Sequence, residues 1–363
     1  MLSRDVISTG SLILRPPGAG DVEAITAACG DPVIARFLPL LPSPYEASDA
    51  RACLARAEDR WREGGAEFAI TENGRWIGSV GVLPPDRWGT AEIGYLVAPW
   101  ARGRNVAGEA VRAVCDWAFD QGVRRLELHS ELENVASLRV AYKAGFHEEG
   151  RRREAKRLRD GRHADFVLFG RLAGDTVGDT GPYLPPFEGG QLSDGVVRLS
   201  PMTVADAADY LRMLNEPTVA AYSMAPAGTL EDAERRCRHT GYWWVSGQRI
   251  ELAIREAVSG AFAGHIQLTQ VAPVLGQAMV GYSLLAAYRG KGLMTRAVRL
   301  LVDWAFANTV LHRIVAGTNV DNAASQAVLE RTGFLMEGVH REMLPRPDGK
   351  RTDDMLWARV RPS

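Results

Sequence analysis

Residues 92–119 read EIGYLVAPWARGRNVAGEAVRAVCDWAF and residues 279–306 read MVGYSLLAAYRGKGLMTRAVRLLVDWAF. Gly94 falls on Gly281, and the same offset carries Tyr95 onto Tyr282, Arg102 onto Arg289, Gly103 onto Gly290 and Asp116-Trp117-Ala118-Phe119 onto Asp303-Trp304-Ala305-Phe306. After one inserted residue, Asn134 meets Asn322, Ser137 meets Ser325, Gly145-Phe146 meets Gly333-Phe334 and Asp160-Gly161 meets Asp348-Gly349. Chance does not hold register over so many small, polar and aromatic residues. The chain therefore carries one domain twice, with a period far too long for a solenoid. Its 363 residues are enough for two cores. Residues 173–193 are rich in Gly, Pro, Asp and Thr and follow neither a helical nor a strand period, so they are expected to link a domain over 1–172 to one over 194–363.

Both halves present the same order of elements. A short strand (Leu12–Arg15; Val196–Leu199) is followed by helices that start near Asp21 and Asp206, where an acidic residue suits a cap. Two strands come next, then the Gly-Tyr strand, an Arg-Gly loop and a helix. In the second half that helix places Leu293, Ala297, Leu300, Leu301 and Trp304 on one face. A further strand, a short helix beginning near the Asn and a closing hairpin complete each half. Asp160-Gly161 and Asp348-Gly349 are expected as its two-residue turns. The fold class is α/β in the mixed, α+β sense.

Composition removes several functions. Lys and Arg number 43 against 44 Asp and Glu, a net charge of -1, so no global field draws the chain to nucleic acid or to an anionic membrane. No stretch approaches the roughly 18 uncharged apolar residues of a bilayer span. Met1-Leu2-Ser3-Arg4-Asp5 leads straight into charged and strand-like sequence, which argues against a cleaved signal peptide. Cys29, Cys53, Cys115 and Cys237 form no CxxC pair and have no His at metal spacing, so they read as buried thiols of a reducing compartment. A cytoplasmic chain without a metal is the expectation.

Arg289-Gly290-Lys291-Gly292-Leu293-Met294 lies where a strand turns into a helix. A helix start offers unpaired N–H groups and the positive end of the dipole. Glycines let backbone approach a phosphate closely, and two cations add to the attraction, so a diphosphate is a fitting guest. Glycine at such a turn is also common without any ligand, and the loop by itself does not decide.

The surrounding residues do more. Taken with Glu92-Ile93-Gly94-Tyr95, with Asn322-Ala323-Ala324-Ser325 and Gly333-Phe334, and with Asp160-Gly161 and Asp165, the loop resembles that of the GNAT acetyltransferase superfamily, closest to its branch of ribosomal-protein N-terminal (alanine) acetyltransferases. The resemblance covers nearly the whole of both halves. It implies two tandem GNAT-like acyl-CoA N-acyltransferase domains, each a mixed, mostly antiparallel sheet, with acetyl-CoA held at a V-shaped split between two parallel strands. Carried over residue by residue, the cofactor-binding loop is Arg102, Gly103, Arg104, Asn105, Val106 and Ala107 in the first half. In the second half it is Arg289, Gly290, Lys291, Gly292, Leu293 and Met294. Val97 and Leu284 would act through backbone groups, and Asn134 and Asn322 would lie beside the thioester.

The resemblance also implies catalytic roles. An attacking amine must be neutral, and Glu92 stands at the family's base position; a solvent-facing strand Glu is the alternative reading. Ser137 and Ser325 stand where the branch places the acid for the departing thiolate; a helix cap is their alternative role. The Tyr that many relatives carry seven residues after the Asn is not matched, since Ala141 and Leu329 occupy those positions and Tyr142 lies one residue off. The halves depart from the pattern in opposite ways. Asn105 replaces the second loop Gly in the first half, and Met279 replaces the Glu in the second.

The expected function is transfer of an acetyl group from acetyl-CoA to a primary amine, a protein N-terminus or a small molecule, by direct attack in a ternary complex. Transfer of a larger acyl group is one rival. A CoA-binding regulatory module with one silent half is another, and an RNA role for the basic run Arg151–Arg159 is the weakest. The halves are expected to pack as a pseudo-dimer in a monomeric chain, with no membrane partner. His129, His312 and Trp243-Trp244 are expected as packing or surface residues.

Overall fold

Leu12 and Leu14 are buried and Ile13 between them is exposed, the two-residue period of a sheet covered on one face. The same alternation recurs over residues 125–130, whereas residues 76–82 and 250–254 are buried at nearly every position, as in strands covered on both faces. The computed structural model describes residues 2–175, 184–223, 228–345 and 349–362. They form two compact units, Met1–Gly181 and Pro182–Ser363.

The first unit has strands β1 (Ile7–Thr9), β2 (Leu12–Arg15), β3 (Ala66–Glu72), β4 (Arg75–Val82), β5 (Thr90–Val97), β6 (Arg125–Glu131), β7 (His147–Arg157) and β8 (His163–Leu172). Helices α1 (Val22–Cys29), α2 (Pro32–Phe37) and α3 (Ala47–Arg62) lie between β2 and β3, α4 (Val106–Asp120) follows β5, and α5 (Val135–Lys143) follows β6. The second unit repeats this order with β9 (Leu192–Ser193), β10 (Val197–Pro201), β11 (Ile250–Glu256), β12 (Phe262–Ala272), β13 (Gln277–Leu284), β14 (Arg313–Asn319), β15 (Leu335–Pro345) and β16 (Arg351–Val360). Its helices are α6 (Ala207–Leu214), α7 (Pro217–Ala220), α8 (Leu230–Val245), α9 (Leu293–Asn308) and α10 (Ala323–Arg331).

Each sheet has eight strands, in the orders β1-β2-β3-β4-β5-β6-β8-β7 and β15-β16-β14-β13-β12-β11-β10-β9. The β5–β6 and β13–β14 pairs are parallel and the other neighbours antiparallel. The parallel step follows from the crossover helix between its strands, α4 or α9. In α9 the expected face is the buried one: Leu293, Ala297, Leu301 and Trp304 are inside, with Leu300 partly so. No helix among the described residues is long and apolar enough to cross a membrane.

Two expectations need correction. The first concerns the segment expected as a linker over 173–193. Its residues 176–183 lie outside the described residues, but from Leu184 onward it belongs to the second unit. Leu184 and Phe187 are 1% and 4% exposed, and Trp244 Nε1 donates to the Leu184 carbonyl at 3.0 Å. The first unit packs Trp61, Phe68 and Trp117 edge to face. In the second, Trp244 and Trp304 take two of those places and the strand position of Phe68 holds Leu252. Phe187 enters instead, with ring centroids 4.8 Å from both tryptophans. Phe187→Ala is therefore expected to destabilise the second unit by about 3–5 kcal/mol. In denaturant titration followed by tryptophan fluorescence, one transition moves and the first unit's stays.

The second correction is the hairpin between β7 and β8. It closes with a five-residue loop, Leu158–Arg162, in which the Leu158 N–H donates to the Arg162 carbonyl at 2.8 Å and Gly161 takes φ 85°. The local turn signal marked the place and not the loop length. Asp348 of the second hairpin lies outside the described residues.

Candidate active site

β5 and β6 are paired only at Thr90–Arg125, Ala91–Leu126 and Glu92–Glu127, and β13 and β14 only at Gln277–Arg313, Ala278–Ile314 and Met279–Val315. Beyond these positions β5 follows β4 to Val97 and β6 follows β8 to Glu131, so the parallel strands diverge into a wedge. The Glu92 carbonyl accepts from Leu83 N–H and the Ala98 N–H donates to the Ile77 carbonyl, each at 2.9 Å. Backbone groups alternate sides along a strand, so Ile93, Tyr95 and Val97 turn theirs into the wedge. In the second unit the Leu285 N–H donates to Ala263, which turns Leu284 the same way. Arg289 donates to the Leu284 carbonyl at 3.0 and 3.2 Å, leaving the Leu284 N–H facing the opening.

In the first unit a cavity of about 1200 Å³ fills the wedge, walled by β5, β6, the loop before α4, the start of α5 and the chain after α2. The loop meets α4 through Asn105, at φ 61°, and the second unit's loop meets α9 through Gly292, at φ 75°. Asn105 thus adopts the left-handed backbone its partner glycine adopts. Its carboxamide lies over Gly108, where a Cβ would stand 2.7 Å from Asn105 Oδ1. The second unit has Thr295 at that helical position. The N–H groups of Val106, Ala107 and Gly108 precede the first intrahelical bond, Glu109 to Asn105. The loop's cations are engaged elsewhere: Arg102 with Asp31 at 2.8 Å, Arg104 with Glu72 at 2.9 Å, and Lys291 over the Tyr288 ring.

At the apex, Glu92 Oε2 lies 3.5 Å from His129 Nδ1, and His129 Nε2 lies 3.5 Å from Glu127 Oε2. Glu127 is the register partner of Glu92, and His129 stands two residues on, on the same face. The Glu92 side chain is 41% exposed, so it reaches both the imidazole and water. Tyr95 donates to Ser137 Oγ at 2.9 Å, and the Tyr282 hydroxyl is 3.0 Å from Ser325 Oγ. Burial raises both tyrosines, Tyr282 to about 12, so their hydroxyls keep protons to give at neutral pH. Asn134 Oδ1 accepts from the Ser137 N–H and Asn322 Oδ1 from the Ser325 N–H, at 3.2 and 3.1 Å. The asparagines are the helix caps, which frees the serine hydroxyls for the tyrosines.

His129, expected as a packing or surface residue, instead stands at the apex; its strand alternation with Glu127 and Glu131 is the signal for its side of the sheet. Tyr95 and Tyr282, which both halves share at one offset, have no role among the sequence expectations and here meet the two serines. Tyr142 packs edge to face on Phe169 and donates to Glu148. Of the basic run, Lys156 and Arg157 reach the cavity wall, and Arg159 Nε holds the Ala35 carbonyl at 3.0 Å. Trp244 is core; Trp243 lies under Arg249. In the second unit Met279, Val315 and Gly317 stand where the first has Glu92, Glu127 and His129. Among the described residues no group of three or more His, Cys, Asp or Glu is placed to hold a metal ion.

A sheet split beside its one parallel pair, with a glycine-marked helix start aimed at the split, defines the acyl-CoA-dependent N-acyltransferases. The chain belongs to the acetyltransferase (GNAT) domain family, whose model matches residues 11–147 and again 197–335, and it is an N-acetyltransferase. It is 34% identical over 157 residues to the "Probable N-acetyltransferase YjcK" of Bacillus subtilis, a match over 42% of this chain and 87% of that protein. It is 32% identical over 75 residues to the ribosomal-protein-serine acetyltransferase of Escherichia coli, over 21% of this chain and 42% of that protein. The solved ribosomal-protein-S5-alanine acetyltransferase of Vibrio fischeri shares 23% identity, with a TM-score of 0.44, over 47% of this chain and 96% of that one.

Proposed function

We propose that the first unit moves an acetyl group from acetyl-CoA to a primary amine, a protein N-terminus or a small molecule, by direct attack in a ternary complex. The observation that carries this is the meeting of two chemically opposite pairs at one wedge: Glu92 with His129, and Tyr95 with Ser137. When bound, acetyl-CoA supplies an activated acyl carbon and a thiol leaving group. The free N–H groups of Val106 and Ala107 at the start of α4 would hold its diphosphate, with Gly103 and Asn105 giving backbone room. The wedge-facing N–H of Val97 would hold pantetheine. Glu92 takes the proton of the amine, directly or through water, and His129 orients the carboxylate. Ser137, fed by Tyr95, returns a proton to the departing sulfur. Leu284, Gly290, Gly292, Leu293, Met294 and Asn322 would hold acetyl-CoA in the second unit in the same way.

A protein N-terminus is the favoured amine, since the Escherichia coli relative carries a ribosomal protein in its name. Calorimetric titration of acetyl-CoA into the full chain is expected to show two sites. CoA thiol release is expected with at least one of three probes: a peptide beginning with Ala, one beginning with Ser, and spermidine. No heat and no thiol release would overturn the reading.

A further inference from the structure

The second unit keeps its loop, its Asn322 cap and its Tyr282–Ser325 pair, yet its apex carries neither carboxylate nor imidazole. The room left there is filled from the next strand. Asp354 on β16 is the register partner of Asn319, two residues beyond Gly317 on β14, and shares its face. A Cβ on residue 317 would stand 2.7 Å from Asp354 Oδ1 and 3.0 Å from Oδ2. The first unit has His129 and Phe166 at these two positions, so an imidazole beside an aromatic ring has been exchanged for a glycine beside a carboxylate.

Gly317 beside this carboxylate is exposed, while Asp354 as a residue is 7% exposed. Asp354 Oδ1 is enclosed and makes no hydrogen bond of good geometry, Oδ2 lies 3.7 Å from His340 Nδ1 on β15, and the Thr318 backbone N–H also faces the carboxylate. A buried carboxylate short of donors costs stability, and an incoming ammonium would relieve that cost. Burial raises the Asp354 carboxyl above the ordinary aspartate range, with His340 and the Thr318 N–H pulling the other way. That favours a proton acceptor over a permanent ion pair.

We propose that Asp354 accepts the proton of the attacking amine in the second unit, so that the chain carries two acetyl-transfer centres whose carboxylates enter from different strands. This rests on the acetyltransferase reading above. The ammonium gives one proton to the Asp354 carboxylate, directly or through water, and the freed lone pair forms the C–N bond at the thioester carbonyl carbon. As the C–S bond breaks, sulfur takes a proton from Ser325 Oγ, which the Tyr282 hydroxyl replaces. The second N–H proton leaves nitrogen in the same collapse and reaches Tyr282 through water, and Asp354 returns its own proton to solvent. One amide, one thiol and one net proton result.

The test uses the full chain with its first unit disabled by Glu92→Gln and Gly103→Glu, and whichever of the three probes the unaltered chain acetylates fastest. Turnover is expected to persist in this background. Adding Asp354→Asn is expected to lower it by about a hundredfold or more, with acetyl-CoA still bound at one site by calorimetry. Turnover unchanged by Asp354→Asn overturns the proposal. So does a background that binds acetyl-CoA at one site without turnover, which would make the second unit a CoA-holding module. Should Asp354→Asn lose binding as well, Gly317→Ala, which crowds Oδ1 and keeps the carboxylate, is read with the same two outcomes. Absence of turnover in the unaltered chain, with every probe, sinks the acetyltransferase reading and this proposal together.

Discussion

In a chain whose second loop is blocked by Gly292→Glu, Glu92→Gln is expected to lower kcat for amine acetylation by about 10²–10⁴-fold while acetyl-CoA still binds at one site. Space is not what makes Gly292→Glu disruptive, because nothing lies within 4 Å of a Cβ there. The substitution forces a non-glycine residue to φ 75° and sets a carboxylate where the diphosphate would lie. Glu92→Gln keeps the size of the side chain and removes its proton-accepting oxygen. Glu92 occupies the last paired position of β5 with β6, so the backbone under it is fixed and the effect reads the carboxylate itself. His129→Ala in the same background is expected to lower kcat by about tenfold, the scale of a lost orienting contact. Stopped-flow thiol detection measures both, and an unchanged kcat in Glu92→Gln would make Glu92 a solvent-facing strand residue.

The second large effect concerns the first unit's imperfect loop. Gly108→Thr gives α4 the residue α9 has at Thr295, and its Cβ meets Asn105 Oδ1 at 2.7 Å. The carboxamide must then swing off the helix and into the mouth of the anion site. Loss of one charge-assisted hydrogen bond to the diphosphate costs about 1.5–3 kcal/mol, so acetyl-CoA affinity at this unit is expected to fall about 10–100-fold. Asn105→Gly in the same chain removes the obstructing group and is expected to restore most of it. Calorimetry with the Gly292→Glu background isolates the site. Weak binding that the second substitution does not repair would show that Asn105 and Gly108 are not coupled.

Much of this is legible in the sequence because it is one-dimensional. The repeat, the crossover helix with its one apolar face and the glycines at left-handed positions are properties of order and local backbone, and each can be seen without knowing which strands meet. Order along the chain also gives the family, since Arg-Gly, Asn-x-x-Ser and Gly-Phe recur in both halves with a single inserted residue between the first and the second. Turn length at Leu158–Arg162 was less legible, because the pairing of β7 with β8 sets it from both sides. Phe187 was hidden for a different reason: a residue in a Gly- and Pro-rich stretch joins a core only if that core has a gap, and the gap arises from Leu252 at the strand position of Phe68.

The order of residues is enough to show a duplicated mixed α/β chain, where its strand-to-helix loops fall, and that Glu92 has no carboxylate counterpart at Met279. What surrounds those positions is settled by the fold. It set His129 between Glu92 and Glu127, laid Asn105 over Gly108, joined Tyr95 to Ser137 and brought Asp354 over Gly317. The reason is that each of these contacts crosses from one strand or helix to another. Spacing along the chain fixes the face on which a side chain stands, but strand register decides which side chain from a neighbouring element arrives beside it.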